Sequence, residues 1–230
     1  MAYTTINKSS DHFNTKLYTG TGSTNAQTGL GFQPDWVWMK VRSTTGAHRL
    51  CDAVRGATKL LQSNATDAEQ TGADTLTSFD SDGFTLGADA APYNVNVNGQ
   101  TMAAWCWKAG NSSGSSNSDG SITSTVSVNT TSGFSIVKYT GNESGAPKTV
   151  GHGLGVAPKM IIIKRLNDSI NWGVYHESLG NTKVISLNTT DASTTSSAYW
   201  NDTTPTSSVF TINGNHTVNH TGSDFIAYCF

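Results

Sequence analysis

The stretch Gly29-Leu30-Gly31-Phe32-Gln33-Pro34-Asp35-Trp36-Val37-Trp38-Met39-Lys40 returns as Gly153-Leu154-Gly155-Val156-Ala157-Pro158-Lys159-Met160-Ile161-Ile162-Ile163-Lys164, 124 positions later (153 less 29). Each copy is a glycine-rich turn, a proline that can open a strand but not occupy its middle, and a run of large apolar residues closed by lysine. Other segments recur in the same order. Phe13 to Gly20 matches Phe134 to Gly141, offset by 121 (134 less 13). Gly56 to Leu61 matches Gly180 to Ile185, and Asn64 to Ala68 matches Asn188 to Ala192, both offset by 124 (180 less 56, 188 less 64). Val95-Asn96, Gly99 and Ala104 to Trp107 match Val218-Asn219, Gly222 and Ala227 to Phe230, offset by 123 (218 less 95). Offsets that drift so little mean short loop insertions between fixed strands, so the chain is expected to be a duplication of one fold.

With 230 residues, the repeat divides the chain into two units each long enough for its own core. Ser, Thr, Asn and Gly surround β-branched and aromatic residues, a mixture that favours strands and turns over long helices. The expected class is all-β: two tandem antiparallel β-sandwich domains, jelly-roll-like or lectin-like. The expected organisation is an N-terminal arm over 1–12, in which Tyr3 to Ile6 is an added edge strand or a clip, and a first sandwich over 13–108. A Ser/Gly-rich linker with an edge strand follows over 109–132, and a second sandwich over 133–230. The run Asn111 to Gly120 is expected to act as a flexible joint, with Ile122 to Val128 at a sheet edge. A strand is expected at Thr58 to Gln62, and a hairpin around Asp80-Ser81-Asp82-Gly83.

Only 13% of residues are charged and the formal net charge is −2, so no basic stripe is expected for nucleic acid. Apolar runs are too short to span a membrane, and the start lacks the basic and apolar regions of a signal peptide. Cys106 and Cys229 occupy equivalent repeat positions, and the alternation in Ala104-Trp105-Cys106-Trp107 puts the thiol on one sheet face and the indoles on the other, which suits a buried free cysteine.

No group of residues commits the chain to catalysis. Gly110-Asn111-Ser112-Ser113-Gly114 has the letters of a nucleophile elbow but lies in the linker, without the strand and helix that motif needs. His176-Glu177-Ser178 has no counterpart at Cys51-Asp52-Ala53, and neighbours on an extended chain point apart. Asp80-x-Asp82-Gly83 could open a calcium loop, yet position twelve holds Ala91 where a closing glutamate belongs. His216 and His220 have a metal-ligand spacing that suits a helix, in a segment that looks like a loop, so with His152 they are expected at the surface. No enzyme activity, cofactor or metal is expected.

Six tryptophans could build a sugar-stacking platform. Trp36, Trp38, Trp105 and Trp107 face Met160, Ile162, Tyr228 and Phe230 in the other copy, so those positions call for apolar bulk and are expected in the core. Trp200, together with Tyr199, has no partner in the first copy and is the expected surface contact.

The opening Tyr3 to Gly20, the hairpin Phe79-Asp80-Ser81-Asp82-Gly83-Phe84, the run Gly153 to Ile162, Ser178 to Lys183 and Tyr228-Cys229-Phe230 together resemble a family of repeat proteins from marine tailed bacteriophages. The likeness covers nearly the whole chain. It implies a non-enzymatic virion structural protein displayed on the particle surface, made in the host cytoplasm, as part of a tail fibre or appendage that meets the host. Longer members carry further repeats past the position of Phe230, which also leaves room for a compact accessory subunit. A capsid decoration protein and a soluble glycan-binding module are the alternatives. Partners implied are other virion proteins, a host surface glycan and further copies of the chain, as a homo-oligomer, by family likeness a trimer.

Overall fold

A computed structural model describes residues 6–90 and 93–230. Tyr3 to Thr5, on which the expected edge strand or clip mostly rests, lie outside the described residues; from Ser9 to Asp11 the arm is a single 3-10 turn. The chain is all-β with antiparallel sheets and divides into two units, one of 1–63 and 69–113, the other of 64–68 and 114–230.

The first unit contains β1 (Phe13–Thr19), β2 (Asn25–Thr28), β3 (Trp36–Val41), β4 (His48–Asp52), β5 (Lys59–Leu60), β6 (Gln70–Thr71), β7 (Leu76–Asp80), β8 (Gly83–Leu86) and β9 (Thr101–Trp107). A four-stranded sheet in the order β1-β9-β3-β4 packs on a three-stranded sheet β2-β8-β7. Strict alternation decides what lies between them. Val37, Met39 and Val41 of β3, Met102, Ala104 and Cys106 of β9 and Cys51 of β4 point inward, where they meet Leu76, Phe84 and Leu86 from the second sheet. Each such side chain, taken fully out of water, contributes about 1.5–3 kcal/mol if it is the size of Val, Leu or Phe.

The second unit contains β10 (Ser115–Asn117), β11 (Ser124–Asn129), β12 (Phe134–Thr140), β13 (Lys148–Gly151), β14 (Met160–Arg165), β15 (Gly173–His176), β16 (Lys183–Ser186), β17 (Thr194–Thr195), the helical turn α1 (Ser197–Trp200), β18 (Val209–Ile212) and β19 (Asp224–Cys229). Eight strands run in the order β10-β11-β12-β19-β14-β15-β16-β17, and β13 pairs with β18. Val137, Tyr139, Ile161, Ile163, Phe225, Ala227 and Cys229 face Val150, Phe210 and Ile212 across the core.

The order β12-β19-β14-β15 has the same sense as β1-β9-β3-β4, and β13 with β18 corresponds to β2 with β8. Buried polar groups repeat as well. The Tyr18 hydroxyl donates to the Val95 carbonyl at 2.7 Å, and the Tyr139 hydroxyl to the Val218 carbonyl at 2.7 Å. Asn96 and Asn219 are both fully buried, and their side-chain oxygens accept from the backbone of Thr21 and Asn142.

Three sequence expectations need correction. The Ser/Gly run is not a free joint: Ser115–Asn117 pairs with Ser124–Asn129, which pairs with Phe134–Thr140, so the second unit begins at 114. Serine and asparagine are tolerated at this sheet edge because its side chains are mostly exposed and have no core to fill, while the ladder bonds come from the backbone. The polar loop Asn64 to Ala68 belongs to the second unit, where the Thr66 carbonyl accepts from Ile170 N–H at 2.9 Å and the Ala65 carbonyl from the Trp172 indole at 3.1 Å. The strand expected at Thr58 to Gln62 is shorter: Lys59–Leu60 forms β5 and Leu61 bridges Leu50, while Thr58, at φ 70°, stands outside it.

The hairpin at Asp80-Ser81-Asp82-Gly83 is present, and both carboxylates have structural duties. Asp80 accepts from the Ser78 and Thr85 hydroxyls at 2.8 and 2.7 Å. Asp82 accepts the backbone N–H groups of Gly29 and Gly31 at 2.9 and 2.6 Å, and these bonds hold its carboxyl below the ordinary range. A side chain at Gly83 would collide with the Gln27 carbonyl, 1.7 Å from the Cβ position.

The two tyrosine clamps yield a prediction. Tyr139→Phe leaves a buried carbonyl without its donor and should lower unfolding stability by about 1–2 kcal/mol, with Tyr18→Phe behaving alike. Urea denaturation followed by circular dichroism measures both; unchanged midpoints would mean that the hydroxyls are dispensable.

Candidate functional site: an aromatic recess on the first unit

The face of the first unit's four-stranded sheet that points away from its core carries three rows of side chains, set by strand register. Phe13, Trp107, Trp36 and Asp52 form the first row; Thr15, Trp105, Trp38 and Leu50 the second; Leu17, Ala103, Lys40 and His48 the third. Asp35 fixes this register at one end. Its backbone N–H donates to the Trp107 carbonyl at 2.8 Å, and its buried carboxylate accepts the N–H groups of Ala109 and Asn111 at 2.7 and 3.0 Å. Burial raises its carboxyl pKa, opposed by those same bonds.

Aromatic rings run continuously across the first two rows. Phe13 lies 4.9 Å from Trp107, Trp107 4.4 Å from Trp36, and Trp36 5.7 Å from Trp38 between ring centroids. The sequence expectation placed all four tryptophans in the core. Trp36 is indeed buried at 1% exposure, but Trp38, Trp105 and Trp107 are half-buried and with His48 line an open recess of about 260 Å³. Phe13 and Leu17 extend the apolar surface along β1, with 37% and 64% exposure.

The recess is oriented by one polar contact. The Trp38 indole N–H donates to Nδ1 of His48 at 2.8 Å, with the rings edge to face at 80°. Accepting at Nδ1 requires the neutral imidazole, and partial burial, with the Lys40 charge nearby, lowers the His48 pKa below the ordinary value. Trp38 is therefore held in one orientation by a group that titrates. In the second unit Ile162 and Tyr228 stand at the positions of Trp38 and Trp105 and Trp172 at that of His48, all at 5% exposure or less, while Phe230, at the position of Trp107, is half-buried. Accessible indoles on this face are a property of the first unit.

The expected surface contact lies elsewhere and is not at the surface. Trp200 is 2% exposed, because α1 turns it into the second core; its indole donates to the Lys183 carbonyl at 3.0 Å and packs edge to face on Tyr175 at 6.0 Å. Tyr199 is half-buried against that same core. His152, expected at the surface, is fully buried, accepting Leu154 N–H at Nδ1 and contacting the Thr206 carbonyl through Nε2. His176 caps the 3-10 turn Glu177–Leu179 by accepting the Ser178 backbone N–H at 3.2 Å, and Glu177 pairs with Lys159, so neither is arranged to activate the Ser178 hydroxyl. The three cysteines are buried and free, with burial pushing each thiol up to about 12. No helix among the described residues is long and apolar enough to cross a membrane.

A family model described as a domain of unknown function, DUF7483, matches residues 8–230. No curated protein and no solved structure matches the chain.

Protonating His48 removes the acceptor of the Trp38 indole. Tryptophan emission should therefore change with a midpoint below the ordinary imidazole value, and His48→Gln should abolish that step. Because the folded pKa is lowered, the unfolded chain binds the proton first, so this group costs stability as pH falls from the ordinary imidazole value through the lowered one. A titration of emission from pH 8 to 4 in both proteins checks the midpoint and the sign.

Proposed function

The chain belongs to the DUF7483 family, and we propose that it is a non-enzymatic binding module of a bacteriophage particle surface, in a tail fibre or appendage, whose contact with the host is the recess of Trp38, Trp105 and Trp107. The observation that carries this reading is the accessible indole cluster on a sheet face whose counterpart in the second unit holds the buried Ile162, Tyr228 and Trp172 and the half-buried Phe230, with no accessible indole. A position that needs only apolar bulk is filled there by Ile or Tyr, so open indoles at a cost in exposed apolar surface point to a partner.

A saccharide ring suits the recess. Indole faces offer flat apolar area against the axial C–H groups of a pyranose, and His48 in the lining supplies a polar contact to hydroxyls. The volume is below the roughly 300–1,000 Å³ typical of pockets that enclose drug-sized ligands, which favours one or two rings held at a surface. The likeness to repeat proteins of marine tailed phages supplies the setting, and a homotrimer is the assembly it implies.

Titration of host-envelope saccharides against the whole chain should quench tryptophan emission, with Trp105→Ala weakening binding by about tenfold, the equivalent of roughly 1.4 kcal/mol. Tyr199→Ala should leave it unchanged. Binding insensitive to Trp38→Ala and Trp105→Ala would remove the recess from the reading. Electron cryomicroscopy of the source particle should find the chain at the tail; density on head capsomers would replace attachment by capsid decoration.

A further inference from the structure

In the second unit, the loop after β12 and the turn between β18 and β19 bring three metal-binding side chains together. The Asn219 N–H donates to the Asn215 carbonyl at 2.8 Å, the i to i−4 bond of an α-helix, and the Asn215 side chain accepts Thr217 N–H at 2.9 Å. A single hydrogen-bonded turn thus forms within the loop. It places the rings of His216 and His220 4.6 Å apart between centroids, nearly perpendicular. Glu143 reaches in from the other loop, its Oε2 3.5 Å from Nε2 of His216. One ligand atom from each of the three lies within 4.8 Å of the other two.

The two segments are pinned before any cation arrives. Gly141 N–H donates to the Ser223 carbonyl at 2.8 Å, Gly222 N–H to the Gly141 carbonyl at 3.0 Å, Asn142 N–H to Asn219 Oδ1 at 2.8 Å and Glu143 N–H to Thr221 Oγ1 at 3.2 Å. Nδ1 of His220 is 3.1 Å from the buried Ser223 hydroxyl, the kind of outer contact that orients a ligating imidazole. In the first unit the same scaffold recurs, with Gly20 bonded to Gln100 and Gly99, and Thr21 to Asn96. There the ligand positions hold Gly22, Tyr93 and Val97. The fold itself does not require the three ligands.

We propose that Glu143, His216 and His220 form a binding site for a borderline divalent cation, zinc foremost, with solvent completing the coordination. Two imidazoles and one carboxylate suit zinc, whereas calcium and magnesium prefer shells of oxygen. Tetrahedral ligands at about 2.0–2.2 Å from zinc stand roughly 3.3–3.5 Å apart, a spacing the Glu143–His216 pair already has. Side-chain rotation of the exposed His216 and half-buried His220 closes the rest. The bound ion would tie the loop after β12 to the turn before β19.

Isothermal titration of the tag-free whole chain with zinc should give one ion per chain at micromolar affinity or better, with calcium and magnesium in excess failing to compete. His216→Ala and His220→Ala should each weaken binding by at least about 100-fold, and Ser223→Ala by about tenfold. Cobalt(II) should give the visible absorption of a four-coordinate nitrogen-containing site in the wild type, and that band should be missing from folded His216→Gln. Zinc should raise the unfolding midpoint of the wild type and not of the His216→Ala, His220→Ala double variant. No binding at 100-fold excess of zinc over protein, no cobalt band, or affinity equal in the double variant would overturn the assignment.

Discussion

Each unit is closed at one end by a tyrosine hydroxyl and an asparagine amide that satisfy backbone crossing the sandwich without ladder partners. Asn96 accepts from Thr21 N–H and from the Asn25 amide, and donates to the carbonyls of Ser23 and Gly87 at 2.7 and 2.6 Å. Beside it, Tyr18 holds the Val95 carbonyl. Buried backbone groups left unpaired cost about 1–3 kcal/mol each, against a whole-domain stability of only about 5–15 kcal/mol. The crossing segment is therefore fixed to a single path. That path delivers β9 into the centre of the sheet between β1 and β3, which makes the last strand in sequence the middle strand in space. Tyr139, Asn219 and β19 do the same in the second unit.

This explains which parts of the fold could be read from the residues. The alternation in Trp36 to Val41 and in Ala104 to Trp107 predicts strands and their inward faces, and the recurrence of Val95-Asn96 as Val218-Asn219 marks the crossing segments. Strand order was not legible, because it depends on hydrogen bonds between residues about 75 positions apart, such as Tyr18 with Val95. Composition misled at Asn111 to Gly120: serine and glycine are as common in flexible joints as in edge strands, and only pairing with Ser124 to Val126 separates the two.

The recess was half visible. Cysteine and tryptophan alternate in β9, so two faces of different character could be inferred, but periodicity does not say whether the second face is covered. Comparison of the copies favoured bulk over indole and so assigned these tryptophans to the interior, which holds for Trp36 alone among the four. His48 gave no signal, since its role arises from a cross-strand diagonal to Trp38. His216 and His220 do lie in a loop, as their segment suggests; what the sequence does not show is the single hydrogen-bonded turn, capped by Asn215, that brings their rings together.

The chain passes from the first unit into the second at Asn64, returns at Glu69 and leaves for good at Gly114. Five residues encoded inside one half thus complete the other, through the Ala65 and Thr66 carbonyls. A gene severed at the visible seam would yield a C-terminal product missing part of its own fabric. Recombination that exchanges one half without the other has to re-create that borrowed loop.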